Sequence, residues 1–222
     1  MMLKTYKFER FALLFLFLHV AFGVFLSHFN LRYFEGIYVM EDGFIEWLTV
    51  DVLLLGCLLC IYRIINVRFK KGFWFLLSLI LMGGLFFFGA MEEISWGQRI
   101  FGVKPPAFFV QHNSQHEINF HNLIIIGIKI NKLIFGTVLG ICVGIYFLVL
   151  PLLYRRVHWI TRLVEKFGVP IPRIIHIFAY IVLALLVEFT HGGKKGELLE
   201  FGGVWIFYLM VLFPKNKEIY YS

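Results

Sequence analysis

The chain has 222 residues, of which 60% are hydrophobic and only 16% are charged. Soluble domains average roughly 45–50% apolar and about 25% charged residues, so this composition excludes an ordinary soluble protein and predicts an all-α integral membrane protein. The net charge of +7 accompanies a mean hydropathy of +0.81, so we expect contact with the anionic lipids of a bilayer and no binding of nucleic acid.

Apolar runs of spanning length recur along the whole chain. A bilayer core about 30 Å thick requires about 20 apolar residues of helix. Runs of about this length cover residues 11–29, 43–62, 73–91, 133–153, 174–190 and 198–214. The first follows a basic segment and lacks a small-residue cleavage site, which predicts a retained signal anchor. The pattern therefore predicts about six transmembrane helices in a single integral membrane domain, residues 1–222.

Lysine and arginine predict the orientation of these helices. The basic residues concentrate before the first run and in the second and fourth connections, whereas the first and fifth connections contain few. Basic residues in short loops are retained on the cytoplasmic side. We therefore expect both termini in the cytoplasm, in a bacterial inner or plasma membrane.

Acidic residues collect at the opposite, extracytoplasmic side. Those that begin the second and sixth helices have an ordinary explanation, because the helix macrodipole favours anions at an N-terminus; they are Glu41, Asp42, Glu197 and Glu200. Glu92, Glu93 and Glu188 instead end helices, where an anion is disfavoured by a few tenths to about 1 kcal/mol. A salt bridge to a cation such as Arg99, a bound metal, or a raised pKa would offset that cost.

Two further patterns add candidates at the same side. Glu46 and Asp51 lie within the second run, where a charge usually faces a cavity or a partner; they are about 140° apart around the helix, and Glu46 is the better site candidate. Glu188 and His191 form an E-x-x-H pair, a spacing that helical metal sites use.

The long third connection contains the sequence QHNSQHEINFHN at residues 111–122. Read as a strand or as a helix, this segment projects Glu117 and His121 to the same side. Two prolines precede it and a short apolar stretch, residues 123–130, follows it. That stretch is too short to span, so we expect an interfacial or re-entrant helix there.

Two motifs in this region carry a resemblance. EEISWGQRIFG at residues 92–102 and N-x-Q-x-E-x-N-x-H-N at residues 113–122 resemble an uncharacterised group of small bacterial polytopic membrane proteins, which implies a shared site but no activity. The membrane CAAX-protease and bacteriocin-processing family, marked by EExxxR, FxxxH and HxxxN with catalytic glutamates and histidines, is similar only in its chemistry. Here Arg99 falls two positions late, the sequence Phe108-x-x-x-His112 lies in a loop, and no third motif is present.

These patterns favour an enzyme with a carboxylate and histidine site at the extracytoplasmic face. The predicted catalytic residues are Glu92, Glu93, Glu117 and His121. The predicted ligands of a divalent metal ion are Glu93, Glu117, His121, Glu188 and His191. Such a site could activate water through the metal or act directly as general acid and base. Hydrolysis or group transfer on a lipid, lipid-linked or membrane-peptide substrate fits the location.

Two other classes remain open. The protein could be a non-catalytic subunit of a partner membrane protein, whose polar cluster binds an ion or fixes the helices. It could also transport an ion or a solute, but a transporter needs polar residues that lead through to the inner face. The cytoplasmic halves of the runs are nearly all apolar, which counts against conduction.

Overall fold

Three long helices dominate the computed structural model, which describes residues 2–125, 128–129 and 139–221. They are α1 (Met2–Phe29), α3 (Phe44–Val67) and α4 (Phe73–Glu93). Each contains a stretch that is long and apolar enough to cross a membrane, since the 21 residues of α4 extend roughly 30 Å at about 1.5 Å per residue. The predicted all-α class and the first three predicted runs are therefore confirmed.

The remaining runs are shorter or bent. Helices α7 (Leu139–Gly144) and α8 (Leu150–Arg156) flank a π-helical turn, and α9 (His158–Phe167) follows with a bend of 117°, so this group counts as at most one further span. Part of the predicted run, residues 133–138, lies outside the described residues. Helix α10 (Ile174–Val187) has 14 residues, and α11 (Lys195–Leu212) begins with charged residues. Three to four candidate spans are present in the described chain, so six crossings stay a prediction.

Short elements fill the connections. Helix α2 (Leu31–Tyr33) and a π-helical turn (Phe34–Tyr38) join α1 to α3. After α4 come a 3-10 turn (Ser95–Gly97), α5 (Gln98–Phe101) and α6 (Ala107–His112), and another 3-10 turn (Lys217–Tyr220) ends the described chain.

The predicted interfacial or re-entrant helix over residues 123–130 is wrong for the part that the structure describes, residues 123–125 and 128–129. The structure has two short antiparallel strands there, β1 (Ile124–Ile125) and β2 (Ile128–Lys129), with Ile124 opposite Lys129. Successive β-branched isoleucines have stiff side chains that fit a strand better than a helix, which accounts for the difference.

Helix α3 is the centre of the bundle. It packs against α4 and α11, while α10 lies against α11 and α1 contacts both α10 and α11. Close approach requires glycine at Gly56, where an added Cβ would come within 2.6 Å of the Phe86 ring. Leu16, Phe201 and Ile206 are fully buried between the helices, so a continuous apolar core holds the bundle together.

The two ends of the bundle differ in charge. At the basic end, where α3 ends and α4 begins, buried Arg63 donates to the Val211 carbonyl at 2.6 Å and lies 3.9 Å from the Tyr220 ring centroid. Glu9 accepts from His176 Nε2 at 2.9 Å and pairs with Arg173 at 2.5 Å. These contacts tie α3 to the end of α11 and α1 to α10. The carboxylate end, where α4 ends and α3 and α11 begin, contains the candidate site.

Candidate functional site

The backbone adopts a left-handed conformation directly after α4. Ser95, Trp96 and Gly97 have φ angles of 47°, 53° and 74°, so α4 does not continue toward Arg99. A left-handed conformation costs a residue other than glycine roughly 1–2 kcal/mol. Local contacts must therefore hold Ser95 and Trp96 in this turn.

Glu92 supplies one of those contacts. Its carboxylate is buried and accepts from Trp96 Nε1 at 2.7 Å, from the Phe120 amide at 2.6 Å and from the His121 amide at 3.3 Å. The His121 ring lies nearby, with Nδ1 3.9 Å from Glu92 Oε2. Hydrogen bonds to a charged acceptor contribute about 1.5–3 kcal/mol each. These donors offset the unfavourable helix dipole at Glu92, so no metal ion is needed there.

Glu117 supplies the second contact. Its Oε2 accepts from Ser95 Oγ at 2.7 Å and from Asn119 Nδ2 at 2.9 Å, and its Oε1 pairs with Arg99. Arg99 also pairs with Asp42, just before α3. Glu117 therefore fixes the left-handed turn and connects the long loop to the beginning of α3.

Asn113 closes the loop around Glu117. Its Nδ2 donates to the Asn119 carbonyl at 2.9 Å and to Asn119 Oδ1 at 2.8 Å, and its Oδ1 accepts from the Gln115 and Glu117 amides. Ser95, Asn113, Glu117 and Asn119 are all buried. We call this set the loop network; it comprises Glu92, Ser95, Trp96, Arg99, Asn113, Glu117 and Asn119. The sequence motifs at residues 92–102 and 113–122 therefore contribute the two sides of this network.

Glu93 lies in a different environment. It lines a small pocket with Glu46 of α3 and with Glu197 and Glu200 of α11. We call this the glutamate pocket; its lining is Val39, Met40, Ile45, Glu46, Thr49, Glu93, Glu197 and Glu200. The carboxyl groups of Glu93 and Glu200, from α4 and α11, lie within electrostatic range of each other in this pocket. A hydrogen bond between them would require that at least one of them carries a proton.

Few donors reach this pocket. Glu46 accepts from the Asp42 amide at 2.9 Å, and among the described residues no amide, hydroxyl or ammonium group donates to Glu93, Glu197 or Glu200. Burial, followed by the charge of Glu200, raises the pKa of Glu197 to about 7, and nearby Lys194 opposes the rise. The pocket has space for about one water molecule. It can hold a proton, a water molecule or one small ion, but not an organic substrate.

The structure separates the six residues that the sequence predicted as one cluster. Glu92, Glu117 and His121 belong to or adjoin the loop network, although no hydrogen bond or ion pair joins Glu117 to His121 in the described chain. Glu93 alone reaches the glutamate pocket.

Glu188 and His191 lie elsewhere. Glu188 pairs with Lys195 at 2.8 Å in an exposed position, and the His191 amide donates to Ser27 Oγ at 3.0 Å. Because α10 ends at Val187, the E-x-x-H pair does not occupy one helical face. Within residues 2–125, 128–129 and 139–221, no group of three or more His, Cys, Asp or Glu side chains is arranged to hold a metal ion.

Sequence reasoning selected Glu46 but missed Glu197 and Glu200. Both had a sufficient explanation as N-terminal anions of a helix. Their spacing of three places them on one face of α11, and that face meets Glu93. Asp51 lies on the exposed side of α3, away from the pocket.

No protein-family model, curated protein or solved structure matches this chain. The resemblance to the uncharacterised membrane-protein group and the analogy with the CAAX-protease family stay predictions. The function must be inferred from the chemistry of the described residues.

Proposed function

We propose that the protein is a membrane-embedded enzyme that uses the carboxyl groups of the glutamate pocket as general acid and base. The observation that carries this proposal is the convergence of Glu93 from α4 and Glu200 from α11 on one small pocket that few hydrogen-bond donors reach. Two carboxyl groups that share one proton provide an acid and a base side by side. That combination is what hydrolysis or group transfer at an ester, amide or phosphodiester requires.

The size of the pocket limits how a substrate would approach. Space for about one water molecule would let the ionised carboxylate accept a proton from water as the water oxygen bonds to the scissile carbon or phosphorus. The bond to the leaving group then breaks, and the protonated partner donates its proton to the leaving group. Only the scissile group of a larger molecule would reach the carboxyl groups. A lipid, lipid-linked or membrane-peptide substrate, whose apolar part stays in the bilayer, meets this condition.

We further propose that the chain crosses the membrane six times, with the glutamate pocket at the extracytoplasmic face and both termini in the cytoplasm. The charge difference between the two ends of the bundle supports this orientation, because Arg68, Lys70 and Lys71 follow α3 at the end opposite the pocket. The substrate would then be presented from the outer leaflet.

A divalent metal ion is the alternative way to compensate the charge of this pocket. Carboxylate oxygens are suitable ligands for magnesium or calcium. The predicted ligand set of Glu93, Glu117, His121, Glu188 and His191 is dispersed in the structure. Because no three described glutamates are arranged around one metal position, a metal in the pocket would have at most two of them as ligands, a number that Mg²⁺ sites use. Metal dependence is therefore included in the experiment.

A non-catalytic partner subunit is the second candidate, and Asp51 favours it. Its side chain is exposed within α3 in the described structure, and a carboxylate facing lipid is costly, so a partner helix would cover it. Conduction is less well supported. Between Glu46 and Arg63, Thr49 is the one hydroxyl-bearing residue among the buried residues of α3; the others are Val50, Val52, Leu53, Gly56 and Cys60.

The experiment compares wild type, Glu93→Gln and Glu188→Gln in vesicles of bacterial polar lipids, with lipid products followed by mass spectrometry. Glu188→Gln is the matched control because it neutralises a glutamate outside the pocket. We expect a hydrolysed or transferred lipid product with wild type and the control, and at least a hundred-fold less with Glu93→Gln. Loss of product in EDTA and recovery in Mg²⁺ or Mn²⁺ would establish the metal-dependent form. Equal product from Glu93→Gln would contradict the proposal.

A further inference from the structure

A groove at the basic end lies far from the glutamate pocket and takes no part in its chemistry. We call it the lysine groove; its lining is Lys70, Lys71, Gly72, Trp74, Phe75, Glu165 and Lys166. Its volume of about 260 Å³ is enough for a small polar headgroup. The groove forms where the connection between α3 and α4 meets the end of α9.

Packing holds the two walls of the groove in place. Gly168, directly after α9, has a φ of +60° and lies so close to Phe75 that an added Cβ would come within 2.7 Å of its ring. The Tyr220 hydroxyl donates to the Gly168 carbonyl at 2.6 Å. The Trp74 ring centroid lies 5.7 Å from that of Phe167. The groove is therefore a feature of the folded bundle and not of two independent loops.

The charge of the groove favours an anion. Three lysines line it against the single carboxylate of Glu165. The Lys71 ammonium also lies 5.5 Å from the Phe75 ring centroid, which keeps that cation at the wall. Gly72 is the N-cap of α4 and no side chain caps this helix, so the positive end of the helix dipole adds to the field of the lysines.

Helix α9 places the groove at a membrane surface. It follows α8 at a bend of 117°. The apolar side chains of Trp159 and Leu163 are exposed on α9, and the basic residues Arg162 and Lys166 lie next to them along the helix. A basic amphipathic helix with tryptophan is typical of the interface between headgroups and acyl chains. A ligand in the groove would thus have its charge beside the lysines and its chains in the lipid layer next to Trp74.

From these observations we propose that the lysine groove binds the phosphate headgroup of an anionic phospholipid. The volume, the three lysines and the adjacent interfacial helix each match a headgroup phosphate, and the tryptophan matches the glycerol and acyl region below it. The site is independent of the proposed function of the glutamate pocket.

Native mass spectrometry of the delipidated protein in detergent tests this proposal. Phosphatidylglycerol and phosphatidylcholine are added separately to wild type, to Lys70→Gln/Lys166→Gln and to Lys104→Gln/Lys195→Gln. The last variant removes the same charge at the carboxylate end. Loss of two surface lysines should weaken phosphatidylglycerol binding about twenty-fold or more, whereas the control should stay within about two-fold of wild type.

Each other outcome overturns a specific part of the inference. Equal weakening in both double variants would show that net charge and not the groove binds the lipid. Phosphatidylcholine binding as tightly as phosphatidylglycerol to wild type would remove the role of headgroup charge. Displacement of phosphatidylglycerol by an equal concentration of inorganic phosphate would make a soluble phosphate the ligand. Because the substituted lysines lie at the surface, unchanged circular dichroism is expected for all variants.

Discussion

Glu92 and Glu93 are consecutive residues at the end of α4, and their carboxyl groups lie in two regions of opposite chemistry. Glu92 faces the loop network and accepts from an indole and two backbone amides. Glu93 faces the glutamate pocket, which it lines together with three other glutamates, Glu46, Glu197 and Glu200.

The difference separates a structural anion, Glu92, from Glu93, the carboxyl group that we propose to be reactive. A carboxylate supplied with donors is stable in its ionised form and contributes to folding. A carboxyl group beside other carboxyl groups without donors is stable only when a proton or a cation joins it. The same residue type, one position apart, therefore fixes a loop in one case and, in the proposed function, exchanges a proton in the other.

The largest loss of stability is expected when Glu117 of the loop network is replaced. Glu117→Ala removes the acceptor of Ser95 Oγ and one of the two partners of Arg99 and of Asn119 Nδ2, which releases the left-handed turn. Removing one partner of a buried pair costs about 3–5 kcal/mol, and because the Arg99 side chain is 33% accessible and keeps Asp42, the loss should lie at the lower end of that range. Thermal unfolding in detergent should show a lower Tm for this variant. A Tm equal to that of wild type would mean that the loop network does not support the fold.

The pocket should make stability depend on pH. Burial raises the pKa of Glu197, which lies in the first turn of α11 ahead of the apolar run, from about 4.5 to about 7. The folded state therefore binds the Glu197 proton more tightly than the unfolded state does. The contribution of this proton to stability is complete below about pH 4.5 and is lost as the pH rises to about 7. The free energy of unfolding should fall by at most about 3 kcal/mol across this window.

Glu197→Gln is the control for that titration. An amide does not ionise, so the variant should show a smaller decline than wild type between pH 4.5 and 7, measured as Tm at each pH in one detergent. Parallel curves for the two proteins would refute the assignment of this titration to Glu197.

A smaller loss is expected at Ser95. Ser95→Ala removes the hydroxyl that donates to Glu117 and accepts from Asn119, while Arg99 still pairs with Glu117 and Asn119 still donates to it. The free energy of unfolding should decrease by about 1–2 kcal/mol, measured by denaturant titration. A loss as large as that of Glu117→Ala would place the hydroxyl, and not the carboxylate, at the centre of the network.

The smallest effect is expected at Glu188. Its pair with Lys195 is exposed, with 68% of the glutamate side chain accessible, and exposed ion pairs contribute between nothing and about 1 kcal/mol. Glu188→Ala should therefore leave Tm nearly unchanged. A loss comparable to that of Ser95→Ala would show that the E-x-x-H pair has a role that its exposed position does not explain.

The sequence predicted the membrane class, the first three spans and the need to compensate the carboxylates that end α4. It could not distinguish Glu92 from Glu93, because consecutive residues are about 100° apart around a helix and only the packing of α4 decides which face meets the loop and which meets α11. Glu197 and Glu200 were missed for a related reason: their local capping explanation was sufficient until tertiary structure placed Glu93 beside them.

The isosteric pair Glu92→Gln and Glu93→Gln tests the contrast most directly, through the free energy of unfolding at pH 7.5 in the same detergent. We predict that Glu92→Gln lowers it by about 1–3 kcal/mol, because a buried carboxylate loses charge-assisted hydrogen bonds. Glu93→Gln should leave it unchanged or raise it, because an amide relieves the repulsion among the pocket carboxyl groups. Equal losses from the two substitutions would contradict the division of these neighbouring glutamates into a structural and a reactive group.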